Sequence, residues 1–117
     1  MSFENLEIYK ISYSVCIEVY KLTHKYPKEE IYGIVSQMRR AAVSIPSNIA
    51  EGYKRNSKKE FEHFLYISLG SAGELETQLK ISKDLEYIHK NECEIIIEKL
   101  NSLEWLIHGI IRGMRKE

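Results

Sequence analysis

The chain has 117 residues, with 17 Lys+Arg balancing 17 Asp+Glu to a formal net charge of zero. That length suits one domain around one core, taken as residues 1–117. Zero net charge excludes a globally basic nucleic-acid binder, and two cysteines, Cys16 and Cys93, are too few for a secreted disulfide framework.

The opening MSFENLEIYK has no basic stretch followed by an apolar run, so no signal peptide is expected. No apolar run is long enough for a membrane span, and a cytoplasmic location is the default expectation. Only two prolines and six glycines interrupt apolar residues that recur at three- and four-residue intervals. That periodicity predicts an all-α protein.

The first helix is expected from about Glu4 to Lys25. It carries two apolar stripes: Leu6, Tyr9, Tyr13, Cys16 and Tyr20, and Ile8, Ile11, Val15, Val19 and Leu22. Two stripes bury two faces, and in so short a chain the second face is expected to meet another subunit. Pro27 ends this helix. The second helix is expected to start between Lys28 and Ile31 and to reach Tyr53. Ile31, Ile34, Met38, Ala42, Ile45 and Ile49 form its core stripe. Arg39, Val43, Pro46, Ala50 and Tyr53 share an adjacent face, of which Val43, Pro46 and Ala50 are the candidate oligomer interface. Pro46 lacks an N–H and crowds the carbonyl one turn back, which predicts a kinked helix rather than a break. Ser44 or Ser47 is the expected partner for the backbone group it frees.

Ser57-Lys58-Lys59-Glu60 has the form of a capping box and opens the third helix, with Phe61, Phe64, Leu65, Ser68, Ala72, Leu75 and Leu79 as its stripe. Gly70-Ser71-Ala72-Gly73 predicts close approach by a neighbouring helix, because glycine there costs about 1 kcal/mol per residue. Asn91 with Glu94 reads as the cap of the fourth helix, which carries Ile96, Ile97, Leu100, Leu103, Ile107, Ile110 and Met114. Four helices joined by short turns predict an antiparallel up-down-up-down four-helix bundle with a proline-kinked second helix.

Catalytic signals are weak. Glu60…His63 and Glu86…His89 match a helical di-iron motif, but their histidines lie 26 positions apart, about 39 Å along a helix. Glu104 and His108 form a surface pair one turn apart, and His24 favours a helix C-terminus. Glu51, Glu74 and Glu76 are the remaining carboxylates considered for an enzyme site. No phosphate loop, Cys-x-x-Cys or nucleophile elbow is present. The expectation is no enzyme, no metal and no cofactor.

The strongest functional signal is charge. Between Gln37 and Lys59, six basic residues stand against one acid; from Glu60 onward, eleven acids stand against seven basic residues. Arg39, Arg40, Lys54, Arg55, Lys58 and Lys59, with Tyr53 as a stacking aromatic, are the candidate nucleic-acid-binding residues. The competing expectation is a protein-interaction adaptor whose cations grip an acidic partner.

SQMRRAAVSIPSNIAEGYKR followed by SKKEFEHFLYISLGSAGELETQL, with the opening FENLEIYK, resembles a known family. It is the four-helix-bundle family of proteins encoded in intervening sequences of bacterial 23S ribosomal RNA genes. It is similar also to the accessory variability determinant of diversity-generating retroelements. The resemblance implies a barrel-like homopentamer with a basic surface, and for the retroelement member binding of RNA or DNA and of a reverse transcriptase. Family positions fall here on Arg39, Arg40, Ala41, Ala42, Pro46, Asn48, Glu51 and Gly52, with the basic turn as Lys54-Arg55 and Lys58-Lys59.

Overall fold

A computed structural model describes residues 2–117. Four α-helices follow one another: α1 (Glu7–Thr23), α2 (Ile34–Lys54), α3 (Lys58–Asp84) and α4 (Lys90–Arg115). Short 3-10 turns at Phe3–Asn5 and Lys28–Glu30 precede α1 and α2. Each helix packs on its two neighbours in cyclic order, α1 on α2, α2 on α3, α3 on α4 and α4 on α1. The result is an up-down-up-down bundle 47 Å long, a length set by the 27 residues of α3 and the 26 of α4.

The core is the set of stripes the spacing predicts. Ile8, Val15, Val19, Met38, Ala42, Ile45, Ile49, Leu65, Ala72, Leu75, Leu79, Leu100, Leu103 and Ile107 are fully enclosed. Ile31, Tyr13 and Tyr20 are exceptions: Ile31 is exposed because α2 begins only at Ile34, and the two tyrosines lie on the outer side of α1. Gly33 adopts φ −106° and ψ −119°, a non-helical conformation that separates the Lys28–Glu30 turn from α2.

The α2 helix runs unbroken through Pro46. Ser44 does not serve as the expected backbone partner. Its hydroxyl accepts from Asn48 Nδ2 (2.9 Å) and from Ser71 Oγ (2.8 Å), and Asn48 also donates to the Ser44 carbonyl (2.8 Å). Ser68 Oγ donates across to the Ile45 carbonyl at 3.0 Å. These contacts, with Ala41, Ala42 and Ala72, let α2 and α3 form the tightest seam of the bundle.

The glycine of close approach is Gly52, not Gly70 or Gly73. A Cβ on Gly52 would sit 2.6 Å from Phe64 Cβ, whereas around Gly70 and Gly73 nothing lies within 4 Å. Gly70 and Gly73 fall on the outer side of α3, so their neighbours in the sequence pack while they do not.

The cap of α4 also differs from expectation. His89 is the N-cap and Glu92 the third helical residue, whose Oε1 accepts from the His89 N–H at 2.9 Å. Asn91 and Glu94 lie inside the first turns and are exposed. At the end of α3, Glu86 takes φ 63° and the Tyr87 N–H reaches back to the Ser82 carbonyl at 2.9 Å, a left-handed helix stop.

Candidate functional site

The α2–α3 connection is short for a physical reason. Arg55 closes α2, Asn56 turns the chain at φ 55°, and Ser57 is extended and accepts from the Glu60 N–H at 3.4 Å. Asparagine tolerates that left-handed conformation well, and Ser57 satisfies one of the free donors at the start of α3. Three residues therefore reverse the chain and bring Lys54 and Arg55 beside Lys58 and Lys59.

The up-down topology then delivers the last turn of α4 to the same end. Lys58 pairs with Glu117, and Arg115 Nε donates to Glu62 at 2.8 Å while its Nη2 donates to the Tyr66 hydroxyl at 3.2 Å. Arg112, Arg115 and Lys116, which were not among the candidate residues, thus join Lys54, Arg55, Lys58 and Lys59 at this end. The readable signal was the cationic tail Arg112–Lys116, combined with two adjacent antiparallel helices of nearly equal length.

Seven cations now share one end of α2, α3 and α4. The acids among them are engaged: Glu51 and Glu60 both bond Arg55 (2.9 and 3.3 Å), Glu62 bonds Arg115 and Glu117 bonds Lys58. Exposed pairs of this kind contribute about 0–1 kcal/mol, so they orient side chains more than they stabilise the fold. Glu62 holds the Arg115 guanidinium still more firmly in its charged form. Lys54 lies over the Phe3 ring at 5.8 Å. Lys59, Arg112 and Lys116 are exposed and have no ion-pair partner among the described residues. Glu4 and Glu7 stand at this end on the α1 side.

Other candidate residues lie elsewhere. Arg39 is half-buried between α1 and α2, donating from Nε to Thr23 Oγ1 at 3.0 Å with its guanidinium 4.8 Å over the Tyr20 ring. Arg40 is exposed and lines a polar groove with Gln37, Ser44, Ser71 and Glu74. Fourteen residues separate it from Lys54, about 21 Å along α2. The two arginines therefore do not share a surface with the Lys54–Lys59 turn. Tyr53 is half-buried, its ring edge-to-face with Phe61 at 5.8 Å.

Of the candidate interface residues, Pro46 is buried within its own chain and Ala50 is half-buried. Together with Phe3, Tyr9, Tyr13, Cys16 and Ile17 they line a groove of about 310 Å³ between α1 and α2. Val43 is 40% exposed and sits beside Tyr13, Ile17 and Tyr20, all exposed on the same α1–α2 face.

Glu60…His63 and Glu86…His89 lie at opposite ends of the bundle. Glu60 is engaged with Arg55, and His89 caps α4. Among the described residues no three His, Cys, Asp or Glu side chains come together as a metal-holding group. Glu104 is held above the usual carboxylate range, first by burial and then by Glu76, while His108 pulls it down. Burial pushes both the Cys16 and Cys93 thiols up, which favours their protonated form. No helix among the described residues is long and apolar enough to cross a membrane.

The family model described as 23S rRNA-intervening sequence protein matches residues 4–109. The chain is also similar to a crystal structure from Bacteroides thetaiotaomicron VPI-5482, described as a protein with unknown function from the S23 ribosomal protein family. That likeness has 25% identity and a TM-score of 0.79, over 89% of this chain and 97% of the other. No curated protein matches the chain.

Proposed function

We propose a function from one premise: this chain belongs to the 23S rRNA-intervening sequence protein family. It is a non-enzymatic, homo-oligomeric scaffold that holds nucleic acid against the basic end of its bundle. The observation that carries this reading is the convergence of Lys54, Arg55, Lys58 and Lys59 with Arg112, Arg115 and Lys116, in which the acids of α2, α3 and α4 are already engaged and cations are left over. Cations of this kind displace the counterions of a phosphate backbone, giving binding that is salt-dependent and indifferent to sequence. The zero net charge then acts in its favour, since only one end of the molecule attracts a polyanion.

Self-association is supported by the exposed apolar face of α1 and α2. Tyr13, Ile17, Tyr20 and Val43 are all partly open there, a grouping larger than the scattered apolar residues of an ordinary monomer surface. Repeating the basic end around a closed oligomer multiplies its charge and the number of phosphates held at once.

Light scattering tests both halves. Native mass measured alone is expected to exceed that of one chain. Adding a structured RNA fragment at low salt is expected to raise it, and moderate salt to reverse the gain. An oligomer that never gains RNA mass counts against the nucleic-acid role and favours an acidic protein partner. A monomer removes the assembly.

A further inference from the structure

We propose that the outer face of α4 is a base-stacking platform, so that the basic end holds single-stranded nucleic acid more tightly than duplex; this rests on the polyanion reading above. Trp105 is the only tryptophan in the chain and is 71% exposed. Among the described residues its ring has no aromatic or cationic partner, unlike Tyr53 on Phe61 or Tyr20 beneath Arg39. A large indole left in water, on a helix whose other large apolar side chains are mostly packed, is the informative kind of exposure.

What surrounds it points to the ligand. Residues 105, 109, 112 and 116 fall within about 60° of one another around α4, so Trp105, Gly109, Arg112 and Lys116 form one outward stripe. Arg112 lies about 10 Å and Lys116 about 16 Å along the axis from Trp105. Among the described residues neither cation has an ion-pair partner, and both belong to the basic end. Between indole and cations stands Gly109, where an added Cβ would have only Arg112 Nη2 within 4 Å, at 3.8 Å. Only the flexible end of Arg112 reaches over the helix surface there, leaving room for a flat ring to lie against Trp105 while its backbone runs toward Arg112 and Lys116.

This chemistry fits an unpaired base. A base in a duplex has both faces covered by its neighbours; only a single strand offers one to an aromatic side chain while its phosphates meet cations. Stacking of this kind tolerates any base, which suits a surface with no built hydrogen-bond code. Tyr32, 94% exposed, is no substitute: it lies at the other end of the bundle, two residues from Glu30.

Trp105 reports on its own ligand through fluorescence. The probes are oligo(dT), a duplex of the same length and heparin, a polyanion without bases, each with binding followed separately by anisotropy or mass. Oligo(dT) is expected to quench Trp105 emission on binding, while duplex and heparin bind without quenching. Trp105→Ala is expected to weaken oligo(dT) on the order of tenfold and to leave heparin affinity and helical circular dichroism unchanged. Oligo(dT) that binds without quenching, or equally well to Trp105→Ala, overturns the stacking platform and leaves the basic end standing. No binding of any of the three probes overturns both. Emission already shifted to short wavelength in the free oligomer places Trp105 against a second copy and overturns the platform.

Discussion

The two ends of the bundle are built from the same residue types to opposite effect. At the end holding the Tyr26–Gly33 and Leu85–His89 turns, side chains are committed to one another. The Tyr26 and Tyr87 rings meet at 5.3 Å, the Tyr87 hydroxyl donates to Glu30 Oε2 at 2.6 Å, and Lys25 pairs with Glu92, which also caps α4. Its spare cations, Lys21 and Lys28, are offset by spare acids, Glu29 and Glu86. At the end holding the Arg55–Ser57 turn, every acid of α2, α3 and α4 is engaged and the surplus is positive. One end locks the chain; the other leaves charge for something else. Both ends contain ion pairs; the sign of the charge left unpaired separates them.

The largest effect on this contrast should come from the locked end. Tyr26 is 6% exposed, and replacing a buried aromatic by alanine costs about 3–5 kcal/mol. Tyr26→Ala is therefore expected to lower the melting temperature sharply, while polyanion affinity per folded molecule stays the same. Denaturant melts alongside anisotropy check both.

Glycines sharpen the same contrast at the basic end. Gly52→Ala drives a methyl into Phe64 beside the α2–α3 turn and should cost about 1–3 kcal/mol. Gly70→Ala, on the open side of α3, should instead gain about 0.5–1 kcal/mol from helix propensity. Opposite signs of the two changes in urea midpoint are the expected result.

A smaller effect is pH-dependent. The His89 backbone N–H, and after it Lys25, hold the Glu92 carboxyl below its ordinary value. A carboxylate with a depressed folded pKa stabilises fully above its unfolded value, about 4.3, and loses that contribution as pH falls through the folded one. The difference in melting temperature between the wild type and Glu92→Gln should thus be present at pH 6 and shrink as pH drops below about 4.

The helix count, the bundle and nearly all the core were legible because stripe spacing depends only on local geometry. Ile8, Met38, Leu65 and Leu100 need no knowledge of the neighbours to be placed inside. The errors lie where the neighbour decides. Gly70 and Gly73 looked like a packing site by composition, yet Gly52 is the one that meets Phe64. Asn91/Glu94 and His89/Glu92 have the same three-residue spacing, and the stop at Glu86 selects the second by fixing where the chain leaves α3. Arg39 looked exposed by charge, but Thr23 and Tyr20 claim it. Arg112 and Lys116 are far from Lys59 in sequence, and only the antiparallel packing of α4 on α3 brings them to the same end of the bundle.

The central claim is that one end, and not net charge, binds polyanion. Charge reversal at each end isolates it. Lys59→Glu with Lys116→Glu and, separately, Lys21→Glu with Lys28→Glu change the net charge by the same amount. Association with a single-stranded RNA is then measured across a salt series. The first pair is expected to weaken binding at least about tenfold and to flatten the salt slope by about one unit per cation lost. The second pair is expected to leave both near wild type. Equal losses from the two pairs, or none from the first, would contradict the account.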